Sequence, residues 1–288
     1  MISDADQFFA RAEALLDRLE ALLPPPPIPP AWDANIAFLW QRVGYSGRLV
    51  SVGNLPSVGL DDLQCIDRQK QQIDLNTRQF LHKLPANNVL LWGPRGTGKS
   101  SLIKALLNAY AAEGLRLIEV YREHLAELPE IVDVVRMRPE RFLIFCDDLS
   151  FEANDLGYKP LKVVLDGSIK HSSDNVLIYA TSNRRHLLPE NQRDNELTTV
   201  SETEIHYGEA VEERISLSER FGLWVAFHPF SQEQYLTCVA HWLKRLGVEN
   251  TPEVRQAALP WALAHGSRSG RSAWQFACDW AGKKGLGL

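Results

Sequence analysis

Apolar positions change period several times along this chain. Residues 3–23 place Phe8, Ala12, Leu15, Leu19 and Leu22 on one helical stripe, thickened by Leu16 and Leu23. That spacing predicts an amphipathic helix with Ser3 as N-cap. The helix must stop at the proline-rich run 24–30, which prefers a stiff, extended polyproline conformation. Trp32, Ile36, Leu39, Trp40 and Val43 give a second helical pattern over 32–43, a core helix, and 49–52 reads as a strand. Residues 60–67 lead into a further helix ending at Leu81, with Ile73, Phe80 and Leu81 among its apolar positions. The period then collapses to short apolar runs at 89–92, 115–120, 142–146, 175–183 and 223–227, each the length of a buried strand. From Ser231 onward only helical patterns remain, at 232–246, 252–264 and 270–281. Strands alternating with helices, followed by helices alone, predict an α/β layer structure with a small all-α lid.

The polar residues at the ends of those runs carry the candidate chemistry. After Val89–Trp92 comes Gly-Pro-Arg-Gly-Thr-Gly-Lys-Ser, G-x-x-x-x-G-K-S between a strand and a helix. This is the pattern of a phosphate-binding loop: glycines let backbone N–H groups turn inward on a phosphate chain, and the following helix N-terminus adds partial positive charge. Gly93, Pro94, Arg95, Gly96, Thr97, Gly98, Lys99, Ser100 and Ser101 are the candidate cradle. Lys99 would bridge β- and γ-phosphates, and the Ser100 hydroxyl would hold Mg²⁺. The run 142–146 delivers Asp147 and Asp148 to the carboxyl edge of a parallel sheet, where ligands bind. Asp147 would hold the Mg²⁺ hydration shell, and Asp148 would orient or polarise an attacking water. Asn183, at the end of another buried run, is placed to hydrogen-bond the γ-phosphate or the water. Leu63 and Ile66, just ahead of the loop, are candidates for the walls of an adenine pocket.

Composition narrows the picture modestly. The 288 residues are 45% apolar with a net charge of −5, which suits a packed core and disfavours general binding of a polyanionic backbone. Arg184, Arg185, Lys162 and Lys170 leave a local route to nucleic acid. Cys65, Cys146, Cys238 and Cys278 form no C-x-x-C, so neither a zinc site nor a disulfide framework is expected, and a reducing compartment is favoured. The acidic N-terminus differs from a secretory signal, and no apolar run reaches membrane-spanning length. A cytoplasmic protein is the expectation. Residues 190–214 mix eight acids with Arg193 and Arg214 without periodicity and read as an exposed acidic insertion.

The ordered set of phosphate loop, Asp147-Asp148, Asn183, Arg220 and Arg271 resembles the AAA+ ATPase superfamily. In its terms 93–100 corresponds to Walker A, 142–148 to Walker B, Asn183 to sensor 1, Arg220 to the arginine finger and Arg271 to sensor 2. More narrowly, the stretches 86–93, 146–152, 180–187 and 216–223 resemble an uncharacterised bacterial AAA+ family described only as ATP/GTP-binding proteins of unknown function. The likeness runs from about residue 31 to the C-terminus. It implies a P-loop NTPase three-layer α/β domain over 31–229 with a five-stranded parallel sheet, a helical lid over 230–288, and an N-terminal helix and spacer over 1–30 outside the likeness.

The resemblance further implies ATP and Mg²⁺ between domain and lid, hydrolysis coupled to work on a macromolecule, and assembly into a homo-oligomeric ring. Arg220 would then act on a neighbour's site, and Arg271 would sense ATP against ADP. Two positions depart from the pattern: Asp148 stands where most members have glutamate, and Cys65 near where the adenine-side motif often has glycine. The shorter carboxylate suits slow turnover, so a nucleotide-dependent binding switch stands beside the ATP hydrolase. The N-terminal helix either docks a protein partner or second copy, or folds back on the core. No aromatic-glycine pore loop is visible between Tyr121 and Val134, and Tyr158-Lys159 is a candidate for one or a helix start.

Overall fold

The computed structural model describes residues 4–22, 30–44, 46–151, 157–166, 173–185, 187, 217–285 and 287. Ser3, most of the proline run, Lys170 and the acidic stretch 190–214 lie outside the described residues.

Among the described residues seven strands form one sheet: β1 (Ala37–Val43), β2 (Ser46–Ser51), β3 (Val89–Trp92), β4 (Leu115–Glu119), β5 (Arg141–Cys146), β6 (Val176–Ser182) and β7 (Leu223–Ala226), in the order β2-β1-β4-β5-β6-β3-β7. All neighbours pair parallel except β1 with β2. Parallel strands need covering on both faces, and the central strands are accordingly apolar along most of their length, with β5 buried from end to end. Alternate side chains build two cores. Val89, Leu91, Leu143, Phe145 and Tyr179 face α2 (Asp67–Leu81) and α3 (Lys99–Tyr110). Leu90, Ile144, Cys146 and Ile178 face α4 (Leu128–Val135) and α5 (Lys159–Leu165). The result is three layers. Cys146 is wholly buried, and that burial pushes its thiol up to about 12, as for an inert core cysteine.

The expected helix over 32–43 is corrected to a turn followed by β1, and the expected five-stranded parallel sheet gains β1 and β2 among the described residues, β2 overlapping the strand read at 49–52. The 3–4 spacing of Trp32, Ile36 and Trp40 is real, but Phe38 and Trp40 also alternate, and both are fully buried on one face. Gly44 takes a left-handed φ of +64° between β1 and β2, and Gly47 lies against the Trp40 indole where a Cβ would fall within 1.9 Å of the ring. A tight turn and an aromatic stacked over glycine favour a hairpin over a short helix. The Trp40 indole N–H donates to Glu127 at 2.6 Å, fixing the hairpin to the body of the protein.

Helix α2 is pinned to the sheet by buried polar contacts. The Tyr179 hydroxyl lies 2.9 Å from Thr77 Oγ and accepts from Asn76 at 3.0 Å, while Asn76 also bonds the backbone of Asn87 just before β3. After β7 come α6 (Gln232–Arg245), α7 (Pro252–Ala264) and α8 (Gly270–Gly285), close to the spans expected from periodicity. Ser231 and Gln234 form a reciprocal capping box at the start of α6, and Thr251 caps α7 ahead of Pro252. The Tyr235 hydroxyl donates to the Ala258 carbonyl at 3.1 Å, tying α6 to α7.

The N-terminal helix α1 spans Asp4–Leu22. Phe8 is 69% exposed, and Phe9, Leu15 and Leu16 are exposed with it, so these side chains do not fold back on the core. Among the described residues no helix is long and apolar enough to cross a membrane. Tyr158 is buried against Phe151 at the start of α5, which makes the Tyr158-Lys159 pair a helix start.

Candidate active site

The carboxyl ends of β3, β5 and β6 meet at one cleft of about 910 Å³, roofed by α6 and α8. Its floor is the loop between β3 and α3. Gly93 is wedged between strands: its N–H donates to Ser182 at 3.1 Å, its φ is +139°, and a Cβ would fall 2.1 Å from the Phe227 carbonyl oxygen. Gly93→Ala therefore combines a forbidden backbone conformation with a clash against main chain. It is expected to cost at least ~2 kcal/mol, read as a lower urea midpoint in equilibrium unfolding.

Lys99 opens α3 and is only 7% exposed. Its ammonium donates to the carbonyls of Gly93 at 2.6 Å and Pro94 at 2.8 Å, and to Asn183 Oδ1 at 3.4 Å. Burial depresses its pKa, opposed by the attraction of Asp147 and Asp148.

Facing it, Ser100 donates to Asp147 Oδ1 at 2.7 Å, and Thr181 donates to the same oxygen. The Thr181 hydroxyl in turn accepts from the Asp148 N–H at 2.9 Å, which orients the two acids. Asp148 has φ +51°, a left-handed conformation that a short polar side chain tolerates. Asn183 donates to Asp148 Oδ1, and Arg95 donates to Oδ2 at 3.0 Å. Ser100 and Asp147 together offer hard oxygen donors, the set that Mg²⁺ takes from a protein when phosphates and waters complete its octahedron. The residues present fit that ion.

The lid closes directly onto the loop. A Cβ on Gly96, whose φ is +78°, would meet Ser269 Oγ at 2.8 Å, and the Arg271 N–H donates to the Gly96 carbonyl at 3.3 Å. The cleft thus brings together Leu63, Ile66, Arg95, Gly96, Thr97, Gly98, Lys99, Ser100, Ser101, Asp147, Asp148, Asn183 and Arg271. Gly93 contributes its carbonyl from beneath, and Pro94 lines a smaller neighbouring cavity. Arg220 is not among the cleft residues; its guanidinium pairs with Asp166 at the end of α5.

Several lining groups were missed in the sequence. Thr181 lies in β6 two residues before Asn183, a spacing that could have found it. Cys238 and Trp242 line the cleft from α6, with Leu246 just past its end, and Trp242 packs edge-on against Trp274 of α8 at 4.7 Å. Asp62, in the turn before Leu63, is partly desolvated, yet hydrogen bonds from Arg245, the Gly59 N–H and His241 hold its carboxyl below the usual range. It ties the turn at 60–62 to α6, a contact no local pattern announces.

A parallel sheet whose carboxyl edge carries a phosphate loop, an acid pair and a polar asparagine, under a helical roof, defines a P-loop protein of the AAA+ type. Within that superfamily the chain belongs to the family described as "Protein of unknown function (DUF815)", whose model matches residues 33–284. The 26S proteasome regulatory subunit 6B homolog of Aspergillus niger is 35% identical over 136 residues, 42% of this chain and 30% of that protein. The proteasome-activating nucleotidase of Methanocaldococcus jannaschii is 27% identical over 123 residues, 38% of this chain and 29% of its own length. The chain therefore matches under a third of either relative. The RuvB Holliday junction branch migration motor of Thermotoga maritima superposes with a TM-score of 0.52 at 15% identity, covering 76% of this chain and 63% of RuvB. The FIGL-1 AAA domain in complex with ADP gives a TM-score of 0.52 at 16% identity, covering 79% and 74%. At such identity the likeness concerns the fold.

Proposed function

We propose that the chain binds ATP with Mg²⁺ and hydrolyses it to ADP and phosphate, coupling the cycle to assembly and to movement of the lid. The observation that carries this reading is the convergence of Lys99, Ser100, Asp147, Asp148 and Asn183 on one cleft from three separate stretches of chain. The metal would supply charge neutralisation and orientation of phosphate oxygens. Lys99 offsets phosphate charge, Ser100 and Asp147 present the oxygens that hold the ion, and Asp148, steadied by Asn183, orients water. Leu63, Ile66 and the lid side of the cleft supply an apolar wall for the base, and Arg271 sits where lid position and phosphate loop communicate.

Asp148→Asn preserves the left-handed backbone, because asparagine tolerates that region as well as aspartate does. Turnover is expected to fall about 10²–10⁴-fold, the worth of a general base, while ATP binding persists. Sizing this variant with and without ATP and Mg²⁺ tests assembly. A variant that turns over like the wild type would remove Asp148 from its proposed role, and an unchanged mass would remove ATP-driven assembly.

A second reading, a binding switch with slow turnover, is favoured by one observation: both carboxylate oxygens of Asp148 already accept hydrogen bonds from side chains. Near-zero steady-state turnover together with ATP-dependent assembly would select it. The macromolecule acted on is a protein under our reading, met through the exposed apolar stripe of α1. The nucleic-acid route has exposed Arg184 and Arg185, but the Arg185 guanidinium lies over the Trp92 ring at 5.8 Å. Salt-insensitive binding to DNA or RNA would count against that route.

A further inference from the structure

The Arg95 side chain has a place in the cleft that the phosphate-loop pattern does not assign, since the pattern uses only backbone at that position. Arg95 leaves the loop and donates to Asp148 Oδ2 at 3.0 Å, while Asn183 holds the other oxygen. The carboxylate it touches is the one proposed to orient water, so its guanidinium lies at the end of the cleft where the terminal phosphoryl group reacts. Together with Lys99 and Arg271 it makes a cationic rim, and both arginines act on the Lys99 ammonium.

We infer that Arg95 reads the γ-phosphate, exchanging Asp148 for it, so that the protein distinguishes ATP from ADP through the loop itself. This rests on the nucleotide-binding reading above. The side chains of Arg95 and Asp148 are 74% and 50% exposed, and a solvated ion pair of that kind contributes little. A terminal phosphate carries more charge than a carboxylate and accepts two parallel hydrogen bonds from a guanidinium, so it wins the exchange. A diphosphate has no group at that position and leaves the Arg95–Asp148 pair in place. The exchange also frees one Asp148 oxygen only when a γ-phosphate is present, which ties readiness for hydrolysis to the correct nucleotide. Asp148 stays where it is, held by Asn183 and by its own N–H on Thr181.

The test is equilibrium binding of ADP and of a non-hydrolysable β,γ-methylene ATP analogue, each with Mg²⁺, to the full chain. In Arg95→Ala the analogue is expected to bind about tenfold more weakly, the loss of one charge-assisted contact, while ADP changes less than twofold. Arg95→Lys, which keeps the charge but not the fork, should fall between. Asp148→Asn should tighten the analogue more in the wild-type background than in the R95A background, because the competitor for Arg95 is weakened. Equal losses for both ligands would show damage to the loop rather than γ-phosphate reading, and an unchanged analogue affinity would exclude any role; either overturns the inference. A wild-type chain that binds neither ligand overturns the nucleotide-binding reading itself and this inference with it.

Discussion

Lys99→Ala is expected to bind ATP at least about 10²-fold more weakly than the wild type and to hydrolyse none measurably. The residue is buried at the head of α3, where its ammonium donates to two loop carbonyls and approaches Asn183. Those bonds hold the positive charge under the cleft before any phosphate arrives, so little ordering remains to be done on binding. Hydrogen bonds to charged groups contribute roughly 1.5–3 kcal/mol each, and a lysine spanning two phosphates would forfeit two of them. The substitution also removes the Lys99 donor from the Gly93 carbonyl and leaves the Pro94 carbonyl with the Thr97 hydroxyl alone. For that reason unfolding by urea should accompany titration calorimetry with ATP, so that loss of affinity is separated from loss of fold. A folded Lys99→Ala chain with wild-type ATP affinity would remove the phosphate loop from the site and, with it, the function proposed here.

The parts of this protein that were legible in sequence share a property: their signals are local. The run Val89–Trp92 followed by three spaced glycines, Lys99 and Ser100 specifies strand, loop and helix within a dozen residues. The spans of α6 and α7 were readable from apolar periodicity alone, and the structure adds the caps at Ser231 and Thr251 that fix their starts. The β1–β2 hairpin was not, because Trp32, Ile36, Leu39, Trp40 and Val43 fit a helical stripe as well as Phe38 and Trp40 fit a strand face. Its choice depends on partners far away: β1 pairs with β4, and Glu127 receives the Trp40 indole N–H. Tertiary context overrides local period there. The same reason hid Asp62, whose meaning comes from Arg245 and His241 some 180 residues later, and the docking of Ser269 on Gly96. The two departures noted in sequence acquire a shared physical reading. Cys65 and Asp148 both adopt positive φ, at +62° and +51°. Cys65 occupies a conformation that favours glycine, and Asp148 one that favours a side chain shorter than glutamate.

Arg220→Ala should lower turnover about 10³–10⁵-fold, the worth of an arginine finger in other nucleotidases, while ATP affinity stays close to wild type. The structure keeps Arg220 out of the cleft of its own chain, on a helical turn ahead of β7 and paired with Asp166. A residue so placed reaches a γ-phosphate only if a second copy presents its cleft to that face. The pair with Asp166 is itself partly exposed, so its loss costs about 1 kcal/mol or less, and the variant should remain folded. Asp166→Ala supplies the control, since it removes the same ion pair while leaving the guanidinium in place. If Arg220 acts across an interface, mixing Arg220→Ala chains with Lys99→Ala chains should restore part of the activity that neither has alone. The first supplies an intact cleft and the second an intact arginine. Wild-type turnover per chain should also rise with protein concentration as copies associate. Mixtures that stay inactive, with both variants folded and assembling, would place Arg220 outside catalysis and leave the ion pair with Asp166 as its structural role.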